Sequence, residues 1–299
     1  MHERSFDLRY YEMDRHGEAT PVTLSSLLEE SAFTHCEAAG WDVYRLVAAG
    51  YGWILLRGCL DMRRYPAYRE SFRVETWLSA ARRFYGTREY RVVSASGEEL
   101  GYARSLWVFY SLERQRPVPI LDEILRAWAP NGVQAGPLRL DEVEGPPDPR
   151  IGSEPPAGLE ATALRAAGAD KTAAPATRFD ALRERSFDVR LSEIDTNGHV
   201  NNVNYLAWAL EAVDARTMDE RFLARVSGQY KHEVTFGSTV RPVAVPEGDG
   251  FRHGVYAAPA GGGPEYLAAA ARSSWRPRPA LAAPAWAPGA KATEGSPAA

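Results

Sequence analysis

Seven residues near the start of the chain return, almost unchanged, in its second half. Glu3-Arg4-Ser5-Phe6-Asp7-Leu8-Arg9 is matched by Glu184-Arg185-Ser186-Phe187-Asp188-Val189-Arg190, 181 positions downstream (3 to 184), with six of the seven identical. The same offset carries Glu12-Met13-Asp14 onto Glu193-Ile194-Asp195 and Gly17 onto Gly198. A fixed-offset match of this kind marks a duplication, and two copies rather than many point to a duplicated domain, not a solenoid. The 299 residues therefore have to accommodate two similar units, in line with one large or two ordinary domains by length.

Both copies run through the same order of elements. A strand at 6–10 leads into a turn. Thr20 is placed to cap a helix with Pro21 at its first position, where a missing N–H costs nothing. Leu24, Leu27, Leu28 and Ser31-Ala32 give its buried face, and Gly40 its stop. Alternating, β-branched or aromatic runs follow at 53–62, 71–78, 85–93 and 102–110, with Ser96-Gly97 turning the last pair. The second copy gives a helix at 202–218, with Leu206, Leu210 and Val213 at i, i+4 and i+7, then strands near 225–235, 239–245, 251–257 and 265–275. One long helix followed by about four antiparallel strands is an α+β layer arrangement. Residues 1–128 form the N-terminal unit and 184–276 the C-terminal one. The stretch 129–183, with Gly145-Pro146-Pro147-Asp148-Pro149 and Glu154-Pro155-Pro156, has linker composition. The Ala/Pro-rich 277–299 is expected to be a loose tail.

The second copy departs from the first at a polar cluster. Asp195, Asn197 and His199 set a carboxylate, an amide and an imidazole at alternate positions, directly before the apolar helix. Asn201 or Asn202 can cap that helix with a side-chain oxygen. Free first-turn N–H groups and the positive dipole end favour a developing negative charge, as on an oxyanion. Each residue alone reads as an ordinary turn former; the three together read as chemistry. At the same offset the first copy has Asp14, His16 and Glu18, with Thr20-Pro21 in place of Asn201-Asn202. The halves thus share a fold and not a site. A second polar run is Gln229-Tyr230-Lys231-His232-Glu233-Val234-Thr235-Phe236, where 229, 231 and 233 would share one strand face. Glu233 falls where the first copy has Tyr65 (offset 168, from 65 to 233). Alone, it reads as a solvated strand carboxylate.

Composition narrows the class. Hydrophobic residues at 45% and charged residues at 25% suit a globular protein. A net charge of -4 gives no overall pull toward nucleic acid or anionic membrane. No apolar run approaches the roughly 20 residues of a membrane span. Met1-His2-Glu3-Arg4-Ser5 lacks a signal-peptide layout. Cys36 and Cys59 have no metal or redox spacing. They read as small buried hydrophobes in a reducing compartment, so the cytoplasm is the expected location.

The two polar runs together resemble the acyl-acyl carrier protein thioesterase family of plants and bacteria. The family pattern Asp-x-Asn-x-His-Val-Asn-Asn-x-x-Tyr-x-x-Trp is met at every specified position from Asp195 through His199, Asn202 and Tyr205 to Trp208. The pattern Tyr-(Arg/Lys)-x-Glu-Cys is met by Tyr230-Lys231-His232-Glu233, with Val234 in place of Cys. The resemblance implies a double (tandem) hotdog, each copy a long helix wrapped by an antiparallel sheet. It implies release of free fatty acid from acyl carrier protein, terminating fatty acid synthesis, with no cofactor and no metal. The implied catalytic set is Asp195, Asn197, His199 and Glu233. Val234 argues against a cysteine nucleophile. The acyl chain is implied to lie in the first copy, beneath its helix, with Leu27, Phe33, Trp53 and Leu55 as candidate walls. Acyl carrier protein is strongly acidic, and Arg63-Arg64, Arg69 and Arg82-Arg83 are the clusters able to receive it, since Arg makes bidentate contacts to carboxylate or phosphate.

A thioester carbonyl is electrophilic and its thiolate leaves readily, so an activated water and an oxyanion site are the main needs. Glu233 or His199, or the two linked, would act as general base. Asn197 would position water or polarise the carbonyl, N–H groups entering the helix would hold the oxyanion, and Asp195 would hold the loop. Rival readings keep the fold: an acyl-CoA thioesterase, a hydratase-type hotdog, or a non-catalytic acyl-binding protein. The hydratase group resembles Asp-x4-His, whereas three residues separate Asp195 from His199. Binding alone would not need all four polar residues. Two copies in one chain supply the pairing that a single hotdog gains by dimerising, leaving both a monomer and a homodimer open.

Overall fold

Each copy is built round one helix, and the first begins at its cap residue. The Thr20 hydroxyl accepts the Thr23 N–H and Pro21 opens α1 (Pro21–Ala38). Gly40, at φ 74°, follows its end in the left-handed region that stops helices. The computed structural model describes residues 1–128, 135–146 and 186–278. In the first copy these form β1 (His2–Asp7), β2 (Tyr51–Met62), β3 (Ser71–Arg82), β4 (Tyr85–Ser94), β5 (Glu99–Ser111) and a two-residue β6 (Arg116–Pro117), with α2 (Val43–Ala48) and α3 (Asp122–Trp128). The second copy has β7 (Phe187–Asp188), α4 (Asn202–Glu211), α5 (Ala215–Glu220), β8 (Arg221–Tyr230), β9 (Thr239–Glu247), β10 (Gly250–Ala258) and β11 (Tyr266–Pro277).

These strands form one antiparallel sheet in the order β1-β3-β4-β5-β2-β8-β11-β10-β9-β7, with β6 on β5. The copies join where β2 pairs with β8, from Arg57 opposite Gln229 to Asp61 opposite Arg225. Helices α1 and α4 touch over that seam. The copies correspond at the loops that enter their helices: the bridge between Glu18 and Ala67 reappears between His199 and Thr235. Likewise the Ala19 N–H to Pro66 carbonyl bond (2.8 Å) reappears from Val200 to Val234 (2.9 Å). The tandem hotdog expected from the sequence is thus the observed architecture. The largest core cluster spans both copies, with Leu24, Met62 and Phe72 of the first and Phe222, Leu223 and Trp275 of the second. None of the described helices is long and apolar enough to cross a membrane.

Five expectations need correction. The strand expected at 6–10 runs over His2–Asp7, and Tyr10–Glu12 form a 3-10 turn. The helix expected at 202–218 is two helices: α4 stops at Glu211, and Asp214 accepts the Thr217 N–H to cap α5. A short acidic side chain that can bond the backbone ahead of it favours a new start over continuation. The strand expected at 225–235 ends at Tyr230, which puts Glu233 in a loop. Within the expected linker, residues 135–146 form a strap across the sheet. Arg104 donates to the Leu138 carbonyl, Val143 N–H to Gln229 Oε1 at 3.1 Å, and Tyr256 hydroxyl to the Pro146 carbonyl at 2.9 Å. Leu138 and Val143 are buried there; positions 129–134 and 147–183 lie outside the described residues. Of the expected loose tail, Pro277 closes β11 and Arg278 is anchored on Asp14 at 3.0 Å and on Glu18. The remainder, 279–299, lies outside the described residues.

Leu24 is 0% exposed in the cluster that both copies share. Leu24→Ala should lower the unfolding free energy by about 2–5 kcal/mol. Urea titration would show it as a lower midpoint at unchanged slope.

Candidate active site

The polar loop is folded by one carboxylate. Asp195 Oδ1 accepts the N–H groups of Asn197 (2.8 Å) and His199 (3.3 Å), and its Oδ2 accepts Asn197 Nδ2 (3.3 Å). Gly198, at φ 80°, allows the tight turn that returns its N–H to the Asp195 carbonyl. Asn201 then caps α4 by accepting the Val203 N–H at 3.0 Å. His199 Nε2 lies 3.4 Å from Glu233 Oε2, with side chains 41% and 70% exposed. The fold therefore brings the four residues together as two linked pairs, Asp195 with Asn197 and His199 with Glu233, on an accessible surface.

Glu233 is aimed by its loop and not by strand alternation. Beyond Tyr230 the N–H groups of Lys231 and His232 both go to the Ala268 carbonyl (2.8 and 3.1 Å), which ends the ladder. The Tyr266 hydroxyl donates to the Glu233 carbonyl at 3.0 Å, and the Tyr205 hydroxyl accepts the Val234 N–H at 2.9 Å. Val234 is fully buried beside Val189, Val200 and Tyr205, so a side chain at this position points into the core. Trp208 Nε1 and Asn204 Nδ2 both hold Glu193, through its carboxylate and its carbonyl, at 3.1 Å each. The Tyr and Trp of the motif are thus positioning groups, a role their sequence spacing did not reveal.

An apolar cavity of about 120 Å³ lies between α1, α4 and the sheet, lined by Leu28, Leu55, Val203, Leu206 and Val226 among others. A second, of about 40 Å³, lies under the later turns of α1 among Phe33, Trp53, Leu78 and Trp128. Of the expected wall residues, Leu55 lines the first cavity, and Phe33 and Trp53 the second. Leu27 lines neither and packs on the shared core cluster; Leu28, one helical step away, faces the cavity. The four polar residues line neither cavity. They sit beside the N-terminus of α4, whose Val203 and Tyr205 are cavity walls.

Glu29 was missed by the sequence reading. It lines both cavities and accepts Asn202 Nδ2 at 3.2 Å. Burial pushes its carboxyl up to about 7, and the Asp195 charge adds to this against the Asn202 bond. The available signal was position: Ser25, Glu29, Ala32 and Cys36 recur at i, i+4, i+7 and i+11, which places an acid on the inward stripe.

The basic clusters do not form one patch. Arg64 is committed to Glu70 and Glu98 at 2.8 and 2.5 Å, Arg63 pairs with Glu99 at 2.7 Å, and Arg69 lies over the Tyr68 ring. Met62, just before Arg63, is opposite Gly101, whereas Tyr85, opposite Arg82, faces Val108. Those β5 positions are roughly 23 Å apart at about 3.3 Å per residue. Since Leu55 faces Trp107 and Arg57 faces Gln229, the exposed Arg82 and Arg83 share the sheet end that carries Tyr230 and the Glu233 loop.

The first copy keeps the turn and lacks the pair. Asp14 Oδ1 accepts the N–H groups of His16 (2.8 Å) and Glu18 (3.2 Å). Arg278 fills the space by binding Asp14 and Glu18. At the counterpart of Glu233, Tyr65 is buried and donates to the Leu223 carbonyl at 2.9 Å. Among the described residues no group of three or more His, Cys, Asp or Glu is placed to hold a metal ion.

Two outcomes follow from these contacts. Tyr205→Phe leaves the buried Val234 N–H unpaired and should cost about 1–3 kcal/mol in chemical denaturation. Glu29 keeps its proton in the native state after the unfolded chain has lost it, so its contribution to stability falls as pH rises from about 4.5 to about 7. Glu29→Gln should remove this slope, gaining up to about 3 kcal/mol over wild type between pH 5 and pH 8. Paired urea titrations at the two pH values check it.

Comparison with known proteins agrees with the geometry. Residues 1–128 match the model of the acyl-ACP thioesterase N-terminal domain, and residues 177–276 that of the C-terminal domain. An acyl-[acyl-carrier-protein] hydrolase of Cuphea viscosissima is 24% identical over 252 residues, 80% of this chain and 53% of the relative. Oleoyl-acyl carrier protein thioesterase 2 of Arabidopsis thaliana is 26% identical over 240 residues, 78% of this chain and 59% of the relative. The chain thus spans little more than half the length of these relatives. A putative oleoyl thioesterase from Lactobacillus plantarum shares the fold with a TM-score of 0.70 at 23% identity, over 93% of this chain and 96% of that one. A 12:0-ACP thioesterase from Umbellularia californica does so with a TM-score of 0.69 at 21% identity, over 92% and 97%. With both of its halves matched in order, the chain belongs to the acyl-ACP thioesterase family.

Proposed function

We propose that this protein hydrolyses fatty acyl-acyl carrier protein thioesters to free fatty acid. The observation that carries the reading is the His199–Glu233 pair at 3.4 Å, set beside the start of α4 where that helix walls an apolar cavity. The acyl chain enters the cavity and leaves its thioester carbon at the helix N-terminus. The His199–Glu233 pair takes a proton from water, whose oxygen attacks the carbonyl carbon. Asn197, held on Asp195 at 3.3 Å, orients that water or polarises the carbonyl. The Asn202 N–H, the first of α4, meets the oxyanion with the helix dipole behind it. Collapse expels the phosphopantetheine thiolate, which takes the proton back from the pair.

Family membership supports acyl carrier protein as the carrier, and Arg82 and Arg83 are the proposed docking charges at this end of the sheet. Arg64, already bonded to Glu70 and Glu98, is not proposed for docking. Buried, unpaired Cys36 and Cys59 fit a reducing cytoplasm. One chain holds both copies, so one chain is the proposed catalytic unit.

Free-thiol release from a panel of acyl-acyl carrier proteins and matching acyl-CoAs tests this. His199→Ala and Glu233→Ala should each lower kcat by about two orders of magnitude or more. Arg82→Glu with Arg83→Glu should raise KM for the carrier-protein substrates and leave acyl-CoA turnover alone. Normal turnover by a folded His199→Ala protein would overturn the scheme, and binding without thiol release would favour a non-catalytic acyl-binding role.

A further inference from the structure

We propose that Glu29 sets the acyl-chain length this site accepts, by standing where the two cavities meet and keeping an alkyl chain out of the aromatic one. The inference deepens the hydrolase reading and rests on it. Glu29 and Trp107 are the residues that line both cavities. A chain whose thioester sits at the start of α4 passes Glu29 early, because Glu29 bonds Asn202, the first residue of that helix, at 3.2 Å. From this junction the chain has two directions. One is the larger cavity between the copies. The other is the smaller chamber under α1, where Trp53 stacks on Trp128 at 5.4 Å with Phe33 and Leu78 nearby.

The smaller chamber is a good solvent for methylene groups and a poor neighbour for a carboxylate. An alkyl chain entering it lies against Glu29 and strips water from that carboxyl, which is costly for an ionised group without a counter-charge. Among the described residues no cation pairs with Glu29. From β5, Arg104 is held by Glu89 at 3.0 Å. From β4, Arg88 is bonded to His35 Nδ1 at 2.9 Å and Thr76 at 3.2 Å. The other titratable groups facing it are Asp195 from the α4 entry loop, Tyr90 of β4 and Tyr230 of β8, none of which supplies positive charge. Burial holds the carboxyl near neutrality, at about 7, so the junction changes charge across the pH range of ordinary assays. Protonated, it admits the longer chain; ionised, it confines the substrate to the larger cavity.

The test is kcat/KM for thiol release across acyl-acyl carrier proteins of eight to eighteen carbons, at pH 6 and pH 8. Wild type is compared with Glu29→Gln, which keeps an acceptor for Asn202, and with Glu29→Met, which removes it. Both variants should move the optimum to longer chains, with the ratio of long- to short-chain kcat/KM rising about tenfold or more. In wild type the optimum should shorten as pH rises, while in the variants it should not move. Ala32→Val narrows the aromatic chamber from its α1 wall and should reverse the gain in the Gln background; alone, it should lower long-chain kcat/KM more at pH 6, where Glu29 is protonated, than at pH 8. Thiol release with the same chain-length profile in wild type and both variants would overturn the inference and leave the hydrolase reading standing. No thiol release by wild type from any substrate would remove the reading and the inference with it.

Discussion

The pairing of β2 with β8 is the constraint on which the rest of the molecule depends. Arg57 faces Gln229 and Asp61 faces Arg225, and this short antiparallel seam turns two sheets into one. Because the copies meet strand to strand, α1 and α4 lie together over the seam and run in opposite directions. Glu29, in the middle of α1, therefore meets Asn202, at the start of α4, while Ser25 and Leu206 share the cavity between them. Neither copy encloses that space alone. Its floor comes from β2 and β8 and its roof from both helices. The strap 135–146 bonds to β5, β8 and β10 across the same join.

The antiparallel seam also separates the two equivalent loops to opposite ends of the sheet, and the separation gives each its own chemistry. Asp14 and Asp195 make the same turn by accepting the same pair of N–H groups. A carboxylate that does this with either set of neighbours is a loop-former first, and the difference between the ends lies in what stands around it. At one end Arg278 neutralises Asp14 and Glu18, and Tyr65 closes the interior. At the other, His199 and Glu233 face solvent and each other. The first end is sealed by an ion-pair network, and the second stays open to solvent.

The duplication, the helix starts and the polar loop were legible because each is written locally. Thr20 and Asn201 cap the helices they precede, and the 181-residue offset holds through the loop (14 to 195). What was illegible depends on partners far away in sequence. Alternation carried β8 on to 235, but two successive N–H groups converge on the Ala268 carbonyl and end the ladder at Tyr230. Arg64 reads as a free surface cation until Glu98, 34 positions on, is folded against it. Leu27 and Leu28 are equivalent in composition and both join the shared core, but one helical step decides that Leu28 alone of the two also lines the cavity. Glu29 falls on the inward stripe of α1, but its partner is undefined until α4 is laid across it. The strap reads as linker because its few apolar anchors, Leu138 and Val143, are spaced too widely to show a period.

The carboxylates of this protein illustrate how far environment outweighs residue type. Glu18 and Glu29 are both raised by burial, but Arg278 compensates the first and a single amide bond supports the second. Glu233 has most of its side chain in water and stands 3.4 Å from His199. Glu29, pressed between helices, is held near the point where charge and neutrality cost the same. A duplicated domain makes this division possible. One copy's helix delivers an acid to the shared cavity while the other copy's loop carries the His199–Glu233 pair, so the two can change independently. The two are joined through Asn202, which bonds Glu29 with its side chain and begins α4.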